Sequence, residues 1–263
     1  MTKSQNKITA FVLTYNGEHY IEDCLKSLMW ADEVMIVDSG SQDRTVEIAQ
    51  SLGVRVETNP WAGYGNQLNY AMSKASYDWV FFTDQDEVVM PELANNIRKE
   101  LNSNMRYDAY RTGGQNSLFG RWLQWGGTIE ANIRFVNRHK ITYCDEQHTR
   151  ICEQVPRKTI KGVVRHDMAP TMLDWWDRSF KLATIEAEVN YGKGERFNAF
   201  KAGMFWWRFV RRYVFKLGFL DGWAGLYMAL QRSIYILVYQ ACLLELDKGI
   251  RQPKENPAQT KFR

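Results

Sequence analysis

The sequence predicts an α/β protein: a doubly wound mixed sheet over residues 1–168, followed by a helical, basic and aromatic extension over 169–263. Three observations carry that expectation. Apolar runs of strand length alternate with stretches of helical periodicity from residue 8 to residue 101, the pattern of strands joined by helical crossovers. The early strands end in polar turns at 14–18, 38–41 and 84–87 rather than in hairpin signals. Beyond Met172 the apolar spacing is helical to about Leu246.

Taken in order, residues 8–13 form an apolar strand, and Ile21, Cys24, Leu25 and Leu28 recur at helical spacing after it. Residues 34–37 are a continuous apolar run, as in a parallel strand covered on both faces, and stop at Asp38-Ser39-Gly40-Ser41. Asp43 is placed to cap a helix starting near Arg44, with Val46, Ile48, Ala49 and Leu52 inward. A short strand over 54–57 and a loop over 59–65 lead to a helix carrying Leu68, Ala71, Met72 and Ala75. The strand 79–82 follows, and Pro91 stands at a first helical position ahead of Leu93, Ile97 and Leu101. Residues 107–166 read as less regular, with glycine turns at Gly113-Gly114 and Gly126-Gly127 and a strand over 129–137. A boundary over 167–171 separates this part from the helical extension.

At 263 residues the chain can bury a substantial core, and nothing in its composition signals disorder. The net charge is +4, with the acidic motifs early and the last third basic and aromatic. Four cysteines without a Cys-x-x-Cys, and no signal-peptide core in the first residues, predict a reducing cytoplasm. The longest apolar run, 234–244, contains Gln240 and is too short to span a bilayer.

The chemistry lies in the turns. Open α/β sheets bind ligands beyond the carboxyl ends of their strands, where all three polar turns fall. Asp84 and Asp86 share one side of an extended backbone, so together they can hold a divalent cation that carries a diphosphate. The competing reading is an acidic strand end in solvent. Thr14-Tyr15-Asn16-Gly17-Glu18 lacks Gly-x-Gly-x-x-Gly, which excludes a dinucleotide fingerprint, and there is no Walker loop. Asp38 can accept an N–H from a nucleobase or simply form its own turn. Cys144, His148, Cys152 and His166 admit a zinc reading, although no Cys-x-x-Cys knuckle accompanies them.

Thr14-Tyr15-Asn16, the run from Val37 to Thr45, and Asp84-Gln85-Asp86-Glu87 resemble the three signatures of family 2 glycosyltransferases, inverting enzymes of the GT-A fold. Trp30-Ala31-Asp32-Glu33, the run from Ala62 to Ala71 and Gly218-Phe219-Leu220-Asp221-Gly222 resemble the lipopolysaccharide inner-core β-glucosyltransferases within that family. The resemblance implies that Thr14, Tyr15, Asn16, Glu18, Asp38, Ser39, Gly40, Asn69, Asp84 and Gln85 line a nucleotide-sugar, with Asp38 at the uracil. It implies that Asp86, Asp84 and His166 hold Mg2+ or Mn2+. Relatives carry a His-Glu pair upstream of the late histidine; here Cys152 stands in the histidine's place, so Glu153 is the first choice of general base and Glu146 the second. Asn66 and Leu68 stand where relatives often carry basic residues.

The stretch 201–217 interleaves Phe205, Trp206, Trp207, Phe209, Tyr213 and Phe215 with Arg208, Arg211, Arg212 and Lys216. That mixture suits an interfacial helix on an anionic membrane surface; packing on the catalytic domain is the other reading. No nucleic-acid module accompanies it. The expected activity is transfer of a hexose, glucose from UDP-glucose, to a heptose or other sugar of a lipid-anchored glycan, the lipopolysaccharide core, at the inner face of the cytoplasmic membrane. The alternatives are a glycosyltransferase for another cell-surface polysaccharide and a non-catalytic nucleotide-sugar-binding membrane scaffold.

Overall fold

The computed structural model describes residues 6–127, 130–144, 151–167 and 171–252. It divides into two compact units, residues 1–115 with 130–166 and residues 116–129 with 167–263.

The first unit is built on a mixed sheet. Strands β1 (Ile8–Thr14), β2 (Glu33–Asp38), β3 (Arg55–Thr58) and β4 (Trp79–Asp84) are parallel neighbours in the order β3-β2-β1-β4. The sheet continues from β4 through β8 (Glu130–Asn137), β6 (Ala109–Leu118) and β9 (Arg157–Asp167) to β5 (Glu87–Val89). The β4·β8, β8·β6 and β9·β5 pairs are antiparallel.

Alternation along the strands feeds two cores. Ile8, Ala10, Val12, Ile36, Trp79 and Phe81 pack on one face against α1 (Ile21–Lys26) and α4 (Pro91–Leu101). Phe11, Leu13, Met35, Val37, Val80 and Phe82 pack on the other against α3 (Tyr64–Lys74). Because both faces are covered, these strands carry no polar face, which is why they read as continuous apolar runs. Helix α2 (Thr45–Ser51) contributes Ala49 to the first core; its N-cap is Arg44 rather than Asp43, although Asp43 accepts the Thr45 N–H at 3.0 Å.

Two sequence expectations need correction here. Gly113 and Gly114 do not form a turn: they lie inside β6, paired with Ala131 and Glu130, after a register shift at Tyr110 and Arg111. Glycine within a strand marks such irregularities as readily as it marks a turn. The stretch 157–167, read as irregular, is the eleven-residue strand β9.

In the second unit, α5 (Met172–Gly192) packs on α8 (Gly222–Asp247) through Ala183, Ala187, Ile236, Tyr239 and Leu243. The basic, aromatic stretch is not one helix. It breaks into α6 (Ala199–Gly203), α7 (Phe205–Val210), a π-helical turn at Arg211–Phe215 and a 3-10 turn at Gly218–Asp221. The last of these breaks falls at Leu217, whose backbone is left-handed at φ 58°. Buried Asp221 accepts the backbone N–H groups of Gln124 and Trp125, the latter at 2.8 Å, and so ties the residues after β7 (Arg121–Trp122) to the start of α8. No helix among the described residues is long and apolar enough to cross a membrane.

Gly225 sets how closely this corner closes, because a Cβ there would stand 1.9 Å from the Gly218 carbonyl oxygen. Backbone cannot yield as a side-chain tip can. We expect Gly225→Ala to lose about 3 kcal/mol of stability, the upper part of the range for overpacking; urea unfolding of the two proteins checks this.

Candidate functional site

Parallel register brings the polar turns to one edge of the first unit. Thr14 stands beside Asp38 and Leu13 beside Asp84, so the carboxyl ends of β1, β2 and β4 lie together. The loop after β1 is stitched to both neighbours. Tyr15 N–H donates to Gln85 Oε1 at 2.9 Å, and Gln85 Nε2 donates back to the Tyr15 carbonyl at 3.1 Å. Asn16, left-handed at φ 47°, donates its N–H to Ser41 Oγ and accepts the Gln42 N–H, each at 2.9 Å. Glu18 N–H donates to Asp43 Oδ2 at 3.0 Å.

Asp38 is occupied by its own loop. Oδ2 accepts the N–H groups of Gly40 and Ser41 at 2.8 Å each, and Oδ1 accepts the hydroxyls of Ser41 at 2.5 Å and Thr14 at 3.1 Å. Four donors fill a carboxylate's acceptor positions, so a nucleobase N–H at Asp38 must replace one of them. Gly40, at φ 90°, supplies the backbone shape that this turn needs. Ser39 N–H donates to the Thr14 carbonyl at 2.9 Å, and Gln67 Nε2 donates to Ser39 Oγ at 3.0 Å.

Asn69 is also engaged elsewhere. Its amide exchanges two hydrogen bonds with the Tyr143 backbone, donating to the carbonyl at 2.8 Å and accepting the N–H at 2.9 Å. Next to it, both carboxylate oxygens of Glu153 accept the Thr142 N–H, at 3.0 and 3.1 Å. Glu146 and His148 lie outside the described residues. Of the four residues in the zinc reading, Cys144 and Cys152 are joined to each other as a disulfide, a pairing that the cysteine spacing did not suggest. Cys24 and Cys242 are free and buried.

The acidic turn is the centre of the site. Between β4 and β5 only Gln85 and Asp86 intervene, and the register of β5 against β9 sets Glu87 opposite His166. His166 Nε2 lies 3.1 Å from Asp86 Oδ2. Burial works against a charged His166, but the hydrogen bond and charge of Asp86, with Glu87 and Asp84 behind it, outweigh burial and bring its pKa to about 9. A cation at Asp86 would therefore have to displace the His166 proton before the imidazole could ligate it. Asp84 accepts the Tyr64 hydroxyl at 2.8 Å. Burial first, and then the neighbouring charges of Glu87 and Asp86 against the opposing pull of Arg134, raise the Asp84 carboxyl to about 6.

Sequence reasoning gave no role to three residues that complete this centre: Tyr64, Glu87 and Arg134. Glu87 Oε2 accepts the Thr83 hydroxyl at 2.7 Å and the Asp84 N–H at 2.9 Å, and both terminal nitrogens of Arg134 meet the same carboxylate. The signal was present in the strand 129–137, where an arginine stands among apolar residues. A buried guanidinium requires a carboxylate partner.

The donor chemistry fits a small hard cation. Among the described residues no three His, Cys, Asp or Glu side chains group closely enough to surround an ion. Asp86 and a deprotonated His166 could offer an ion two donors, with phosphate oxygens and water left to complete its shell.

Comparison with known proteins gives the family. The model of glycosyl transferase family 2 matches residues 9–152, and the chain belongs to that family. It is 28% identical over 205 residues to LpsC of Rhizobium meliloti, a lipopolysaccharide core biosynthesis glycosyltransferase, covering 72% of this chain and 73% of LpsC. It is 28% identical to an uncharacterised glycosyltransferase of Rickettsia typhi, over 82% of this chain and 80% of that one. An uncharacterised Rickettsia bellii glycosyltransferase is 42% identical over 108 residues, and there the match spans only 37% of the relative's length. Among solved structures, S. aureus TarS 1-349 aligns over 92% of both chains at 16% identity and a TM-score of 0.48. Glucosyl-3-phosphoglycerate synthase of Mycobacterium tuberculosis, crystallised with Mn2+, UDP and phosphoglyceric acid, aligns over 41% of this chain and 43% of its own at 25% identity and a TM-score of 0.37.

The raised Asp84 carboxyl has a consequence for stability. Between its ordinary value of 3.8 and about 6 the folded protein keeps a proton that the unfolded chain has released, so stability from this group falls as pH rises through that window. Asp84→Asn removes the penalty. We expect the variant to melt about 2–4 °C higher than the parent at pH 8 in chelator, with the gain fading as pH falls from 6 to 4. Thermal melts across that range test it.

Proposed function

We propose that this chain is an inverting, metal-dependent glycosyltransferase that moves a hexose, glucose from UDP-glucose, to a heptose or other sugar of the lipopolysaccharide core. The observation that carries the reading is the Asp84–Asp86 turn at the carboxyl end of β4 with His166 beside Asp86. Family membership and the likeness to LpsC, named for lipopolysaccharide core biosynthesis, support the substrate class.

In this reading the acceptor hydroxyl oxygen attacks the anomeric carbon, the bond from that carbon to the diphosphate oxygen breaks, and UDP leaves with the electron pair. Glu153 takes the hydroxyl proton, with Glu146 as the second candidate. Asp86 and His166, with Asp84 beside them, would hold Mg2+ or Mn2+, which when bound offsets charge on the departing diphosphate. Thr14, Tyr15, Asn16 and Glu18 with Asp38, Ser39, Gly40 and Gln85 receive the nucleotide. Asn69 is the further member of that set, and to reach the nucleotide its amide would have to leave the Tyr143 backbone that it now holds.

The acceptor is proposed to be lipid-anchored, which places the chain on the inner face of the cytoplasmic membrane. Phe200, Trp206 and Phe215 support this reading, at 80%, 68% and 67% exposed, with Arg208 and Arg211 in the same stretch. Rings and cations together suit an anionic bilayer surface.

Three outcomes are expected. Calorimetric titration should show UDP binding that needs Mn2+ or Mg2+ and that Asp86→Ala abolishes; metal-independent binding, or none, overturns the donor site. Glu153→Gln should lower kcat by about 10²- to 10⁴-fold, and full turnover would pass the role to Glu146. Vesicles containing anionic lipid should bind the protein at low salt, and a failure to sediment with them removes the membrane from the proposal.

A further inference from the structure

The Glu87–Arg134 pair is almost wholly enclosed, with its side chains 8% and 5% exposed. Taking both charges out of water is costly, and apolar residues of similar volume often serve a fold as well. Among the described residues, buried Arg134 Nε has no hydrogen-bond partner, which adds to that cost. An arrangement with these costs is poorly explained by stability. Its bonds run to one place: the Glu87 carboxylate reaches back to Thr83 and to the Asp84 N–H, across the turn that carries Asp84 and Asp86. Arg134 enters from β8, where Phe135 pairs with Phe81 of β4, and its guanidinium lies 5.6 Å from the Phe82 ring. The planar fork thus fixes Glu87, and Glu87 fixes the backbone of the turn, while Gln85 is tied on its other side to Tyr15.

We infer that Glu87 and Arg134 are positioning residues, which hold the Asp84–Asp86 turn in the one geometry that presents Asp86 to His166 and Asp84 to Tyr64. The consequence for nucleotide rests on the donor-site reading above; the consequence for the turn does not. Lysine at 134 keeps the charge but loses the two-armed grip, which separates orientation from charge balance.

The experiment compares the parent protein with Arg134→Lys and with the double variant Glu87→Leu, Arg134→Met. Urea unfolding reports stability, amide hydrogen exchange reports the turn, and titration of UDP in the presence of Mn2+ reports the site. In Arg134→Lys the Asp84 amide is expected to exchange at least about tenfold faster, while the slowest core amides are unchanged. UDP affinity with Mn2+ should fall by at least about tenfold in either variant, with most of the unfolding midpoint kept in the double variant. Unchanged exchange at the turn in Arg134→Lys overturns the inference, whatever the fate of the double variant. Faster exchange at the turn in Arg134→Lys, in a protein whose parent binds no UDP with Mn2+, upholds the positioning role and removes the donor-site reading instead. Faster exchange with parental UDP affinity overturns the link between turn geometry and binding.

Discussion

A single buried carboxylate, met by two arms of one guanidinium, governs the edge of the sheet on which the site is built. Glu87 is the first residue of β5 and Arg134 lies in β8, so their contact connects the far edge strand of the sheet to a strand paired with β4. It also sets a third negative charge beside Asp84 and Asp86, compensated from behind by Arg134 and in front by His166. Removing one partner would leave the other buried and unpaired, which is far more costly than never having had the pair. The pair therefore constrains its surroundings more than it stabilises them.

Much of the parallel half was legible from residue order. Covered on both faces, β1, β2 and β4 need unbroken apolar runs, and each run stops at a polar residue, so Thr14, Asp38 and Asp84 announce their own positions. Pro91 declares a helix start because only a first-turn position tolerates its missing N–H. The antiparallel half was less legible because its information is non-local. The strand β9 mixes Lys158, Lys161, Gly162 and Arg165 with its apolar residues, and Gly162 is there because a Cβ would meet the Leu93 backbone at 2.6 Å. No local pattern encodes that approach. Asn69 and Tyr143 are 74 residues apart, and a side-chain amide that pairs with a distant stretch of backbone looks like any polar helix residue. The acidic turn was visible as chemistry, but its supporting residues were visible only as an arginine in an apolar strand.

The second unit shows how a short motif can be structural throughout. In Gly218-Phe219-Leu220-Asp221-Gly222, Asp221 gathers backbone N–H groups from the loop after β7, while Gly218 leaves no room for a Cβ, which would stand 2.8 Å from the Arg212 carbonyl oxygen. None of these residues needs to touch a substrate to matter. The short helical turns that precede the motif leave Trp206 and Phe215 in solvent.

Asp38 carries a different kind of consequence. Because its loop already satisfies every acceptor position, any nucleobase that reaches it trades one hydrogen bond for another, and the net gain in free energy is close to nothing. A base with no donor there leaves the loop's own bonds in place, so Asp38 is not left unpaired. In the proposed donor site such a residue would neither hold a base strongly nor reject one sharply. A spent nucleotide in that proposed site would leave this corner without a strong bond to break, so its release need not be slowed here.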